Sequence, residues 1–126
     1  MTLNDPLSNV LSQLHNAEQL GKKTVTTNHN SKLIRSVLDL MNEEGLIGTY
    51  EEHDTSLTIT LIGRLNACNS IKPRFKCGIQ DYQRYEQRFL PARDFGVIIV
   101  TTNEGVLTHT EAKNRNLGGR LISYAY

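Results

Sequence analysis

The sequence predicts an α+β fold: an N-terminal α-β-α-β-β subdomain packed on a β-rich C-terminal subdomain with short helices. Three observations predict it. Apolar residues recur at spacings of three and four in two early stretches, the signature of helices with one buried face. After Gly45 the period changes to two, which belongs to strands. The C-terminal third then opens on Val97 to Val100, a β-branched run too short for a helix of its own, and continues through small polar residues and glycines. Subdomain boundaries follow from these changes at residues 1–62 and 75–126, with residues 63–74 as linker.

Asp5-Pro6 starts the first helix, because Asp accepts from free N–H groups and Pro suits the first helical position. Leu7, Val10, Leu11, Leu14 and Ala17 form its apolar stripe, and Gly21 ends it. Lys23 to Thr27 reads as a short strand. Asn30 and Ser31 offer a cap for a second helix, whose apolar positions Leu33, Ile34, Val37, Leu38 and Met41 run to a stop at Gly45. Leu46 to Glu51 and Ser56 to Ile62 read as strands joined by the turn His53-Asp54-Thr55. Gly63, Asn66, Asn69 and Pro73 punctuate the linker. Phe75 to Ile79 predicts a further strand, and Asp81 to Phe89 a short helix that Pro91 ends.

The last stretch carries the densest set of turn and small polar residues. Thr101, Thr102 and Asn103 follow the apolar strand, with Gly105 supplying a tight turn and Val106-Leu107 a return strand. Thr108 and Glu111 have capping-box spacing for a helix over Thr110 to Asn116, Gly118-Gly119 closes it, and Leu121 to Tyr126 is a final strand. Short hydroxyl and amide groups on a rigid β scaffold lose little side-chain entropy on contact, and a glycine pair admits close backbone approach. Such a surface suits a shaped polar partner; an ordinary hairpin and helix stop would carry the same residues.

A chain of 126 residues is long enough for one real core. No segment approaches the ~18 apolar residues of a membrane span, and the expected location is the cytoplasm. The net charge is only +1, but it is segregated. Lys22, Lys23, Lys32 and Arg35 form one basic stretch and Arg64, Lys72, Arg74 and Lys76 another, while the acids Asp39, Glu43, Glu44, Glu51, Glu52 and Asp54 lie between them. Cys68 and Cys77 are at neither zinc-ribbon nor CxxC spacing, and the four histidines fall in four different segments. Phosphate-loop, dinucleotide, nucleophile-elbow and zinc-protease motifs are absent from the sequence. An enzyme, a cofactor and a small-molecule substrate are therefore not expected, with a thiol nucleophile at Cys77 or Cys68 as the remaining catalytic alternative. Basic stretches that neutralise phosphates, beside small groups that read shape, suit structured RNA. A generic binding module is the nearest alternative.

Specific segments carry a resemblance that decides between them. Asp5-Pro6-Leu7, Asn16-Ala17, Ser31-Lys32-Leu33-Ile34, Gly63-Arg64-Leu65-Asn66, Pro73-Arg74-Phe75, Leu90-Pro91-Ala92-Arg93, Phe95-Gly96, Thr102 with Gly105-Val106, Glu111-Ala112, Gly119 and Tyr126 occur in order from end to end. Together they resemble small-subunit ribosomal protein eight, in its archaeal and eukaryotic branch. The resemblance implies a non-enzymatic structural protein that binds the central domain of small-subunit rRNA early in assembly, beside neighbouring ribosomal proteins. It also implies an rRNA-facing set: Thr101, Thr102, Asn103, Gly105, Gly118 and Gly119 in the C-terminal half, with Asn16, Ser31, Lys32 and Arg64 in support. Asn103 stands where the family usually has Ser. A protein-interaction module of the same fold without RNA binding is the alternative, for which the acidic segment and low net charge speak.

Overall fold

The structure, a computed structural model, describes residues 6–28, 30–71, 74–92 and 95–126. The fold is α+β, with element order α1 (Pro6–Gln19), β1 (Thr24–Thr27), α2 (Lys32–Glu43), β2 (Tyr50–His53), β3 (Ser56–Thr60), β4 (Cys68–Ser70), β5 (Lys76–Cys77), α3 (Tyr82–Phe89), β6 (Val97–Thr102), β7 (Gly105–Thr108), α4 (His109–Asn114) and β8 (Gly119–Ala125). A single 3-10 turn, Ile79–Asp81, leads into α3.

The two N-terminal helices follow their stripes. In α1 the buried residues are Leu7, Val10, Leu11, Leu14 and Ala17, and in α2 they are Ile34, Val37, Leu38, Leu40 and Met41. Ser31 caps α2, its hydroxyl accepting from the Ile34 amide at 3.3 Å. The capping expected of Asp5 lies outside the described residues, as does Pro73, read as part of the linker's punctuation. β1, β3 and β2 form an antiparallel sheet in that order, with Asp54 at a positive φ in the β2–β3 turn. β2 begins at Tyr50 rather than at Leu46. The residues before it, Leu46 to Gly48, leave α2, and Ile47 is buried while its carbonyl accepts from the Asn42 side chain.

The second sheet is built around β8, which has β6 on one side and, on the other, β4 along its C-terminal half and β5 at its start. β7 extends it beyond β6. β4 falls inside the segment read as a linker: its alternation is only three residues long, too short to register as a period. It packs against α1, with the Cys68 thiol donating to the Leu11 carbonyl at 3.3 Å.

The two faces of this sheet serve two cores. Ile99, Ile122 and Ala125 join the side chains of α1, α2 and the first sheet, whereas Ile98, Val100 and Leu121 pack with α3 and α4 around Tyr82 and Ala112. Alternation along the strands makes this division: Ile98 and Ile99, like Leu121 and Ile122, are neighbours that face opposite cores. Ile99 opposes Ser123 and Val100 opposes Leu121, so Ile122 is an extra residue in β8, a bulge that shifts its register against β6.

Candidate nucleic-acid interface

The hairpin between β6 and β7 is tighter than the sequence suggests. Thr101 and Thr102 continue β6 instead of opening a loop, and the turn is confined to Asn103 and Glu104, with Gly105 at φ +112 on the return. Thr102 fixes that tip. Its hydroxyl donates to the Gly105 carbonyl at 2.8 Å and accepts from the Glu104 amide at 3.1 Å. Thr101 and Asn103 make no side-chain hydrogen bond among the described residues.

The glycine pair plays a different part from a helix stop. α4 is capped at its start by the Thr108 hydroxyl, which accepts from the Glu111 amide, and its end turns at Asn116, the residue with positive φ. Gly118 and Gly119 instead allow contact between backbones. A Cβ on Gly119 would stand 2.1 Å from the Thr101 carbonyl oxygen, and one on Gly118 2.9 Å from that of Cys77. The glycines thus admit this chain's own β6 and β5.

These elements enclose an open groove of about 520 Å³ in which Thr101, Thr102, Asn103, Gly118 and Gly119 come together. Its rim adds two cations, Lys76 and Arg120, which sit opposite each other in the β5–β8 register and are both exposed. Lys76 belongs to a basic stretch visible in the sequence, whereas Arg120 stands outside both basic stretches, one residue before the apolar run that starts at Leu121. Its signal was a cation immediately following the glycine pair. Two acids lie near: Glu104 is exposed at the hairpin tip, and Asp81 accepts from the Gly78 amide while facing Arg84 at 3.7 Å.

The other expected residues lie elsewhere. Gly105 stands at the hairpin beside the groove. Asn16 is exposed on α1, in a shallow cleft with Gln13, Lys22, Thr24 and Thr26. Ser31 and Lys32 are exposed at the start of α2. Arg64 is exposed in a cleft of about 440 Å³ with Asn66, Phe95, Gly96 and Tyr126. The six acids of the middle segment belong to α2, the turn after it and the β2–β3 hairpin; Glu44 lines the Arg64 cleft beside Tyr126, and Glu52 pairs with Arg35 at 3.5 Å.

Neither thiol is disposed to act as a nucleophile. Burial pushes the Cys68 thiol up to about 12, and burial followed by the charge of Asp81 pushes Cys77 up to about 11, so both are protonated at neutral pH. Among the described residues no His, Cys, Asp and Glu cluster is suited to a metal ion, and no helix is long and apolar enough to cross a membrane.

Residues 5–126 match the family model described as ribosomal protein S8. The chain is also similar to small ribosomal subunit protein uS8 of Methanococcoides burtonii, with 45% identity over 130 residues that cover all of both chains. A groove of glycine-permitted backbone, short polar groups and two cations therefore sits within a chain that belongs, over nearly its whole length, to the ribosomal protein S8 family.

Proposed function

We propose that the protein is a non-enzymatic structural constituent of the small ribosomal subunit, working in the cytoplasm within the ribosome, where it binds the central domain of small-subunit rRNA and supports assembly and translation. The groove between β5, β6 and β8 is its main RNA-facing surface. The observation that carries this reading is the convergence of Thr101, Asn103 and the bare backbone of Gly118-Gly119 with Lys76 and Arg120 in one concavity. Packed RNA helices present sugar hydroxyls and phosphates in a fixed shape, which short donors, exposed peptide groups and flanking cations match. Asn16, Ser31, Lys32 and Arg64 are supporting contacts on other faces, and neighbouring small-subunit proteins take the surfaces that RNA does not.

The test is a filter-binding titration of a central-domain rRNA fragment at two salt concentrations. Replacing Lys76 and Arg120 together by Ala should weaken binding and flatten the dependence of log K on log salt by roughly 0.7–0.9 per lost phosphate contact. Absence of binding at low salt, or a slope that ignores both substitutions, would overturn the assignment of the groove.

A further inference from the structure

Outside the groove, the molecule carries a continuous row of six aromatic rings. Phe75 stacks on Tyr85 with centroids 5.8 Å apart, Tyr85 on Phe89 at 6.3 Å, and Phe89 on Tyr124 at 5.5 Å. Tyr124 continues to Tyr126 at 6.2 Å, and Tyr126 meets Phe95 at 6.2 Å. The first three contacts and the fourth lie within 12–26° of parallel, a spacing and angle that tile rings side by side more than they sandwich them. Every phenylalanine of the chain is in this row. Most of these rings are only half-buried, and Phe95 is 47% exposed.

Two arginines from α3 lie over the row. Arg88 stands 5.0 Å from the Phe75 ring centre and 5.2 Å from that of Phe89, and Arg84 stands 5.2 Å from Tyr85. Both are exposed. Resting on a ring occupies one side of a guanidinium and leaves the other as a flat cation with N–H groups at its edge.

The row also connects two places already described. Phe75 adjoins Lys76 at the groove, and Phe95 and Tyr126 line the cleft that holds Arg64. Among the described residues, acids along the way are mostly engaged: Asp81 faces Arg84, and Glu86 is held by His109 and Lys113, leaving Glu44 exposed in the Arg64 cleft.

We propose that this aromatic-arginine strip binds an unpaired segment of RNA, whose bases stack on the guanidinium and ring faces while its phosphates meet Arg84, Arg88 and the cations at the two ends. The inference rests on the groove's being an RNA site and extends it to single-stranded RNA leaving that site. Flat cations over rings favour this occupant, since bases offer π faces and phosphates offer charge together. The strip would join Arg64, which lines a separate cleft, to the groove.

Fluorescence anisotropy with the full chain separates this inference from its parent. The probes are a folded central-domain junction, the same junction with an unpaired oligouridylate tail, and the free oligouridylate. The tail should tighten binding of the unsubstituted protein by about tenfold, within the range for one or two stacked bases. The Arg84→Ala/Arg88→Ala variant should bind the blunt junction unchanged, lose the gain from the tail, and lose affinity for free oligouridylate. Arg88→Lys should not restore the gain, because an ammonium keeps the charge without the plane. A tail that adds nothing, a gain that survives the double substitution, or full rescue by Lys overturns the strip while leaving blunt-junction binding, and so the groove, intact. Loss of a protein neighbour in subunit reconstitution by the double variant, with the tail's gain unchanged, would make the strip a protein-docking face and also overturn it. Failure of the blunt junction to bind falls on the groove, and free oligouridylate then still decides the strip.

Discussion

With only 2.1 Å between a prospective Cβ on Gly119 and the Thr101 carbonyl oxygen, no side chain fits there without parting β8 from β6. Both strands lead into the buried residues Val100 and Leu121, so the strain passes directly to the second core. Gly119→Ala should destabilise the protein by about 1–3 kcal/mol or more, as overpacking does, and open the groove at the same time. Urea denaturation measures the first effect and affinity for an rRNA fragment the second; a stable variant with normal affinity would mean that the strands do not meet so closely. Thr102 needs a different test, because its hydroxyl already bonds Gly105 and Glu104. Thr102→Ser should bind rRNA normally and Thr102→Val weakly, by about 1 kcal/mol, through loosening of the hairpin tip. Equal binding by the two would remove the hydroxyl from the account. Thr101, Thr102, Asn103, Gly118 and Gly119 were legible as a set because turn chemistry marks them in the sequence, but not the reason for the glycines. Close approach of two strands distant in sequence leaves no local signature.

The elements of the second core are tied by one polar chain. The Ile98 amide donates to Nδ1 of buried His109 at 3.0 Å, just past the point where β7 ends opposite Ile99. An amide can only donate, so Nδ1 accepts and the ring proton lies on Nε2, directed at the Glu86 carboxylate 3.1 Å away. Glu86 also receives Lys113, so β6, α3 and α4 meet at this one carboxylate. His109→Leu keeps much of the volume but leaves the Ile98 amide unsatisfied and the carboxylate short of a donor. It should cost about 1–3 kcal/mol in urea denaturation, against little for an exposed His53→Leu control. Equal, small costs would show that the relay does not hold these elements. The Thr108 cap was readable from its spacing to Glu111, and the N-terminal helices from their stripes; His109 was not. It follows the cap at the first position of a six-residue helix, too short for its buried side to show as a period, and its partners are Ile98, eleven residues away, and Glu86 on another helix. β4 escaped for the same reason of length, since three residues cannot show a period of two convincingly.

At the scale of the whole molecule, one sheet separates two cores, and its neighbouring side chains must stay uncharged for both to close. Cys68 is the clearest case, at 5% exposure between α1 and β8. Burial raises its thiol from 9.0 to about 12, with a backbone contact from His15 acting weakly the other way. Tyr82, fully buried in the second core, is raised from 10.0 to about 12, chiefly by burial and then by Cys77. A folded value above the unfolded one fixes the sign of the pH dependence. Below pH 9.0 the Cys68 thiol is neutral in both states, and its contribution is fully present. As pH rises beyond that, the unfolded chain loses the proton while the native chain retains it, and stability drains away until the native group also ionises at about 12. Each such group adds a slope of up to about 1.4 kcal/mol per pH unit. Urea midpoints should thus be insensitive to Cys68 between about pH 7 and 8 and fall steeply at higher pH. Cys68→Ala should lower the plateau, by removing buried volume, but make the alkaline fall shallower. Parallel curves for the two proteins would mean that Cys68 is wet in the native state, and that α1 does not seal the first core against β4.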